Sequence, residues 1–443
     1  MNTNKYSLNQ LMKIRYMLTL CCNGAKRIVK NRSLLLLTLT YHICVVCGLV
    51  IIHTRVTGPL ASMYHFLYTA AFILVTVIIA VILLWVLGMP TGYLRIMQHM
   101  HRVGLTNAAG EVPVFVSRSL SKDNPNLELW EFETYGVPFS SWDDYTEKLE
   151  SGLDIAVIKI EQGTTERRVV MKIIPHPAPW PECIPWHNDL LPRKKSMLAL
   201  GDNRCEQILV NLSVIPHFLI AGRTGSGKSV LMKLLMLQSL LKGMSVIIVD
   251  YKGGIDYSRE WPNYCEIVLE DDSFLAKLTE LLEIMRKRMD SLRTAKVVNI
   301  DKYNESCENH MERICLFVDE VAECLDKTGA SPERKKIIGA IEHSLSNLCR
   351  LGRAVGIHVF LGLQRGSADI LSGQIRNNTY KILGSADENL SILTLGTADA
   401  AKRIPKDVQG RFMDEADNMF QAYYSDFDTE LFKDVPRKEK NSM

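Results

Sequence analysis

The first 110 residues contain no aspartate or glutamate; Glu111 is the first acidic residue, and ten Lys/Arg precede it. A stretch so lacking in negative charge excludes an ordinary globular surface, where both signs are interspersed. It points instead to contact with a membrane or anionic lipid. The rest of the 443 residues carries 42 basic against 49 acidic side chains, a net of −7 within an overall charge of +3. Such a body is not basic overall, so any nucleic-acid contact must gather positive charge on one surface. Metal-ligand spacing is missing too. The eleven cysteines are scattered, and the one pair with redox-motif spacing, Cys44-x-x-Cys47, lies inside an apolar run. That excludes a disulfide framework and suits a reducing cytosol. Internal repeats are absent.

What is present begins with two charge-free runs, 33–52 and 64–88, separated by 53–63. About twenty residues at 1.5 Å each cross a hydrocarbon core. Tyr64, Tyr68 and Trp85 lie near the ends of the second run, as interface anchors do. The first run is too long and too far from Met1 for a cleaved signal peptide. Seven Lys/Arg precede the first run, Arg55 alone lies in the loop, and Arg95 and Arg102 follow the second. This asymmetry predicts a multi-pass protein of the cell membrane, with the basic segment 1–32 and everything after residue 88 cytoplasmic.

Residues 103–196 read as a small β-rich or α/β adaptor module. Runs at 112–116, 155–160 and 169–174 have strand character, the first an edge strand at best because of Pro113. Pro175, Pro177, Pro179, Pro181, Pro185 and Pro192 make its end linker-like. From 197 to 425, apolar runs at 217–221, 245–250, 314–319, 357–363 and 380–383 alternate with helical patterns at 228–241, 274–292 and 334–351. The alternation predicts an α/β fold with a mostly parallel, doubly wound sheet. Residues 426–443 are expected to form a tail, disordered from 437.

The first of those strands leads into Gly222-Arg223-Thr224-Gly225-Ser226-Gly227-Lys228-Ser229, a complete G-x-x-x-x-G-K-[ST] motif with a helical pattern behind it. Glycines let backbone N–H groups converge on phosphate oxygens, and the helix points its positive end at the same anion. Lys228 is placed to reach the β- and γ-phosphates and Ser229 to hold Mg²⁺, which makes ATP and Mg²⁺ the expected cofactors. The strand 315–318 ends in Asp319-Glu320, carboxylates suited to Mg²⁺ and to polarising the attacking water. Asp250, in Val249-Asp250-Tyr251-Lys252-Gly253-Gly254, competes for the metal role but lacks an adjacent glutamate. Gln364 ends the next strand, either as a γ-phosphate sensor or as a bonded loop residue. Arg353, Arg365 and Arg376 are candidates to reach a neighbouring subunit's γ-phosphate.

Over residues 197–413 the chain resembles the FtsK/SpoIIIE family of DNA translocases. The resemblance rests on Pro216-His217 through Val230, on Met285–Met289 with Asn299–Asn304, on Arg353–His358 with Gln364-Arg365, and on Ile370–Asn378. It implies a RecA-like P-loop ATPase forming a homo-hexamer, with ATP at subunit interfaces and DNA held through mostly sequence-independent backbone contacts. Lys228 and Ser229 take the Walker A positions, Asp319 and Glu320 Walker B, and Arg353, Gln364 and Arg376 fall in blocks lining the nucleotide site or interface. Two departures stand out: Gly366 follows Gln364-Arg365 where the family has proline, and the Gly-rich C-terminal block shrinks to Val408–Met413. About thirty residues then remain, too few for a DNA-reading winged helix. A short, two-span, single-motor member looks like the coupling ATPase of a Gram-positive conjugative element, with a relaxase and channel proteins as partners. A type VII-like protein-secretion ATPase and a chromosome-partitioning translocase are the alternatives.

Overall fold

The structure is a computed structural model; it describes residues 17–18, 20–55, 61–122, 124–257, 260–364, 370–427 and 429–436. It divides into two compact units, Met1–His176 and Pro177–Met443.

In the first unit, helices α1 (Arg32–Arg55) and α2 (Ala61–Gly88) are long and apolar enough to cross a membrane, and their apolar windows are unburied. They touch each other through a Tyr41 hydroxyl that donates to the Thr76 carbonyl at 2.7 Å. The amphipathic helix α3 (Tyr93–Val103) follows, burying Ile96 and Met100. A four-stranded antiparallel sheet comes next: β1 (Val114–Leu120), β2 (Glu128–Glu133), β3 (Ile155–Gln162) and β4 (Arg168–Pro175), in the order β1-β2-β4-β3. Helix α4 (Thr146–Leu153) precedes β3. Period-two alternation turns Trp130, Phe132, Met171 and Ile173 into a core with Phe115, Trp142 and Leu149. Pro113, which has no N–H for a ladder, sits just before β1, and β1 is indeed an edge strand.

Among the described residues the second unit is built on eleven strands. β5 (Ile184–Pro185), β6 (Met197–Asp202), β7 (Gln207–Asn211) and β8 (Phe218–Ala221) lead to helix α5 (Lys228–Leu241). β9 (Ser245–Val249), β10 (Glu266–Val268), α6 (Asp271–Thr294) and α7 (Ile300–Ser306) follow. Then come β11 (Ile314–Val318), α8 (Val321–Leu325), α9 (Pro332–Leu351), β12 (Ile357–Leu363), α10 (Gly373–Asn377) and β13 (Tyr380–Leu383). The chain closes with α11 (Glu388–Leu395), α12 (Asp399–Arg403), β14 (Arg411–Asp414) and β15 (Met419–Tyr424).

Six strands, β10-β9-β11-β12-β8-β13, run parallel, and β14-β15-β6-β7 extend them antiparallel, with β5 beside β15. Strands buried on both faces need apolar residues at every position, and β8, β11 and β12 are buried throughout. Leu219, Leu316, Val318, Val359 and Leu361 face one core with α6 and α9. Phe218, Ile220, Phe317 and Phe360 face the other with α5. Phe218, Phe360 and Phe317 stack across three strands at 4.9 and 4.3 Å. Sheet class and the parallel strands thus follow the sequence expectation; the antiparallel extension was not anticipated.

Two boundaries shift. Residues 177–196, expected with the adaptor, belong to the second unit, because β5 pairs with Tyr423 and Tyr424 and Trp186 packs on Tyr423. The expected tail is partly structural: Phe432 and Val435 are buried with Trp261, whose indole meets Phe432 edge-on. Residues 437–443 lie outside the described residues.

Candidate functional site

The C-terminal ends of parallel strands are where a doubly wound sheet opens toward ligands. β8 delivers the loop Gly222–Ser229 there, with β12 on one side and β13 on the other. The loop is fastened by backbone: Gly222 N–H donates to Leu363 O (3.0 Å) and Arg223 N–H to Ser385 O (2.8 Å). The Arg223 guanidinium also reaches the Lys406 carbonyl. Gly225 and Gly227 have φ of 82° and 94°, left-handed values that disfavour a side chain. Gly227 has a second constraint. A Cβ there would lie 2.8 Å from the backbone nitrogen of Gly410. Gly410 in turn donates its N–H to Ser226 O at 2.9 Å. The short remnant at 408–413 therefore braces the phosphate loop directly.

α5 starts at Lys228, directing its positive end into the loop. Lys228 is only 3% exposed. Its Nζ donates to the Asp319 carbonyl and lies 3.6 Å from Glu320 Oε2. Gly362 on β12 makes room for this arrangement, since a Cβ there would lie 2.0 Å from Asp319 O and 2.8 Å from Lys228 Nζ. Ser229 follows Lys228, half-buried.

β11 places Asp319 and Glu320 beside them, 2% and 8% exposed. Glu320 Oε1 accepts from the Gln364 N–H at 3.2 Å. Burial pushes the Glu320 carboxyl above its ordinary range, partly opposed by Lys228. The Gln364 side chain meets the loop itself, its Oε1 accepting from Thr224 Oγ1 at 3.3 Å. Buried polar atoms normally find partners. Asp319 Oδ1, Glu320 Oε2, Ser226 Oγ and Ser385 Oγ are buried without a hydrogen bond among the described residues. These oxygens, beside a buried ammonium and a helix N-terminus, fit a phosphate chain and a divalent cation.

The structure brings together Gly222 through Ser229, Asp319, Glu320 and Gln364. It does not bring Arg353 or Arg376 to them within one chain. Arg353 precedes β12 at the opposite end of the strands, donating Nε to Ser213 O at 3.0 Å. Arg376 is in α10, just before β13, whose first residue pairs with Phe218 at the start of β8. Arg365 lies outside the described residues. Asp250 is occupied: its carboxylate accepts from the N–H groups of Lys252 (3.0 Å) and Gly254 (2.9 Å), capping its own turn. His217 is fully buried, accepts the Val359 N–H at Nδ1 (3.1 Å), and is held neutral by burial, which lowers its pKa to about 3.

Three parts of the site were missed in the sequence. Lys252 Nζ sits 3.0 Å from Asp319 Oδ2, and the signal available was a lysine just past a strand-ending aspartate. Gly362 was detectable as a glycine inside a strand. Gly410 is held between the loop and β15: its carbonyl accepts the Ala422 N–H at 2.7 Å, and Gln421 Nε2 donates to the neighbouring Gln409 O at 2.8 Å. Nothing local to residue 410 signals that partner.

Comparison with known proteins bears on this geometry. The model of the FtsK/SpoIIIE family matches residues 190–339. The DNA translocase FtsK of Listeria monocytogenes is 26% identical over 260 residues, covering 51% of this chain and 33% of that protein. The FtsK of Oceanobacillus iheyensis is 28% identical over 226 residues, covering 46% and 28%. The chain thus spans about a third or less of these curated relatives. A solved structure, the pCW3 conjugation coupling protein TcpA in monomer form with ATPγS, is 32% identical with a TM-score of 0.56. That match covers 76% of this chain and 96% of the other.

Proposed function

Because the chain belongs to the FtsK/SpoIIIE family, we propose that it is a membrane-anchored ATPase that moves DNA, serving as the coupling protein of a conjugative element. The observation that carries ATP hydrolysis is the group of buried, unpartnered oxygens of Asp319, Glu320 and Ser226 around Lys228. The role in conjugation is supported by the likeness to TcpA, itself a conjugation coupling protein. Relaxase and channel proteins are the partners this role calls for.

In this reading the backbone of Gly222, Arg223, Thr224, Gly225, Ser226 and Gly227 wraps the phosphates, and Lys228 neutralises the β- and γ-oxygens. Ser229 and Asp319 would hold Mg²⁺, which supplies charge neutralisation across the phosphates when bound. Glu320 polarises the attacking water, and the carboxyl does so only when ionised. Gln364 links the two halves of the site, touching Thr224 through its side chain and Glu320 through its backbone. Arg353 and Arg376, remote from the loop of their own chain, are left to act in trans on a neighbouring subunit in a homo-hexamer. The apolar helices α1 and α2 anchor the chain, and the Lys/Arg asymmetry puts the ATPase on the cytoplasmic face. DNA contacts are to phosphate, so binding tolerates any sequence and weakens steeply with salt.

The test is phosphate release by the full chain in detergent, with and without duplex DNA. Stimulation by DNA of unrelated sequences is expected, and Lys228→Ala abolishes turnover. An assembled wild-type protein whose turnover ignores DNA would sink the motor reading. Wild-type turnover in Lys228→Ala would remove the phosphate-loop assignment.

A further inference from the structure

The loop after β9 belongs to the site, although neither the phosphate-loop nor the carboxylate assignment uses it. Asp319 is 2% exposed, and an uncompensated carboxylate at that depth is costly. Lys228 does not compensate it: that ammonium bonds to the Asp319 carbonyl and leans toward Glu320. The cation on the Asp319 carboxylate is Lys252, whose Nζ donates to Oδ2 at 3.0 Å. Oδ1 has no partner among the described residues.

The Lys252 side chain is 41% exposed, so a path into solvent is open to it. Its backbone is held by Asp250, which accepts the N–H groups of Lys252 and Gly254. Gly253 and Gly254 follow with φ of 79° and 72°, and a Cβ on Gly253 would meet nothing within 4 Å. The arm is anchored at its base by Asp250 and continues through two residues of wide conformational freedom. Burial alone would lower the Lys252 pKa, but the bond to Asp319 and the nearby Glu323 and Glu320 raise it overall. The side chain is thus a full positive charge at the oxygen pair expected to hold the divalent cation.

We propose that Lys252 is a tethered counter-ion for the metal-binding carboxylate of Asp319, holding it charge-balanced before nucleotide loading and yielding it to Mg²⁺. The proposal rests on the nucleotide reading above. In it, Lys252 and the divalent cation compete for one carboxylate, so Lys252 sets the Mg²⁺ concentration at which the site loads. It swings outward as loading proceeds, and the Asp250–Gly254 turn is the hinge. Lys252 is a positioning residue: it acts through Asp319.

The experiment uses the full chain in detergent as wild type, Lys252→Met and Lys252→Arg. Binding of a fluorescent ATP analogue is titrated against Mg²⁺, and thermal melts are run in EDTA. Lys252→Met is expected to half-saturate at an Mg²⁺ concentration about three- to tenfold lower than wild type, as loss of a partly exposed ion pair implies. Its analogue binding in EDTA should match wild type. In EDTA without nucleotide it should melt about 2–4 °C lower, because Asp319 has lost its counter-ion. Lys252→Arg, which keeps the charge, should track wild type in both assays. An unchanged or higher Mg²⁺ requirement in Lys252→Met overturns the proposal, and so does weaker analogue binding in EDTA, which would make Lys252 a phosphate ligand. The EDTA melt keeps the two claims apart. If wild type bound no nucleotide, the ATPase reading would fail, while an unshifted melt would still refute the counter-ion.

Discussion

The two ends of the same parallel strands treat their polar residues in opposite ways. At the C-terminal ends of β8, β11 and β12, Asp319, Glu320 and Ser226 keep buried oxygens without a hydrogen bond among the described residues. At the N-terminal ends, the Arg313 guanidinium is held by three side chains: it bonds His358 Nε2 at 2.8 Å, Ser213 Oγ at 2.9 Å and Asp301 Oδ1 at 2.6 Å. The Ser213 hydroxyl donates in turn to Asp301 Oδ2 at 2.6 Å, and His358 Nδ1 meets Pro216 O at 3.0 Å. Burial and the Arg313 charge keep His358 neutral, which lets Nε2 accept. Among the described residues two buried nitrogens are left without a hydrogen bond at this end, Nε2 of neutral His217 and Nε of Arg376. A buried polar group without a partner costs about 1–3 kcal/mol, so several at one end mark a place where something binds. A closed network marks a place that holds the fold. The motif blocks around Asn299, Arg353 and His358 sit at the closed end, away from the phosphate loop of their own chain.

That contrast breaks most sharply at Glu320. Glu320→Gln keeps the shape and removes the base, so phosphate release should fall about 10²- to 10⁴-fold while a fluorescent ATP analogue still binds. Retained turnover would hand the water to another group. The same substitution touches stability. A carboxyl whose folded pKa lies above its unfolded value takes up protons on folding, so its contribution to stability falls as pH rises from the unfolded value through the folded one. Glu320→Gln should therefore melt slightly higher than wild type at neutral pH and converge with it in acid. Wild-type ATPase activity should decline as pH drops into the raised Glu320 range, earlier than an ordinary carboxylate would dictate; a flat profile there would contradict the assignment.

Gly362→Ala should rank next. A Cβ within 3 Å of Asp319 O and Lys228 Nζ forces the lysine aside, at a cost of about 1–3 kcal/mol in overpacking. Nucleotide affinity should drop about tenfold by equilibrium titration, the equivalent of about 1.4 kcal/mol. At the closed end the signs reverse. Arg313→Met should lower unfolding free energy by about 2–3 kcal/mol in urea, leaving Asp301 and His358 without their partner. Its nucleotide affinity should stay within about twofold of wild type, well under one decade. Equal damage to affinity and stability in both variants would erase the distinction between the two ends.

The site was legible wherever chemistry is local in the chain. Gly222 to Ser229 is contiguous, and Asp319-Glu320 ends a strand apolar enough to recognise. Gln364 reads in the sequence as either a sensor or a bonded loop residue; in the structure its side chain meets Thr224 and its backbone Glu320. Lys252 was overlooked because its partner is 67 residues away and a lysine after a strand is common on surfaces. Residues 177–196 were misplaced for a related reason: proline-rich composition reads as linker, whereas the pairing of Ile184 with Tyr423 depends on a strand from the far end of the chain.

Sequence alone determined the two apolar spans, the strand–helix alternation and the phosphate loop, since hydropathy, periodicity and glycine spacing act over a few residues. Tertiary structure alone decided which polar groups end up paired. It closed Arg313 into a network, set Gly410 against Gly227, and put Lys252 on the carboxylate of Asp319. Those outcomes depend on which strands become neighbours, and burial makes each unmatched charge costly enough for the difference to matter.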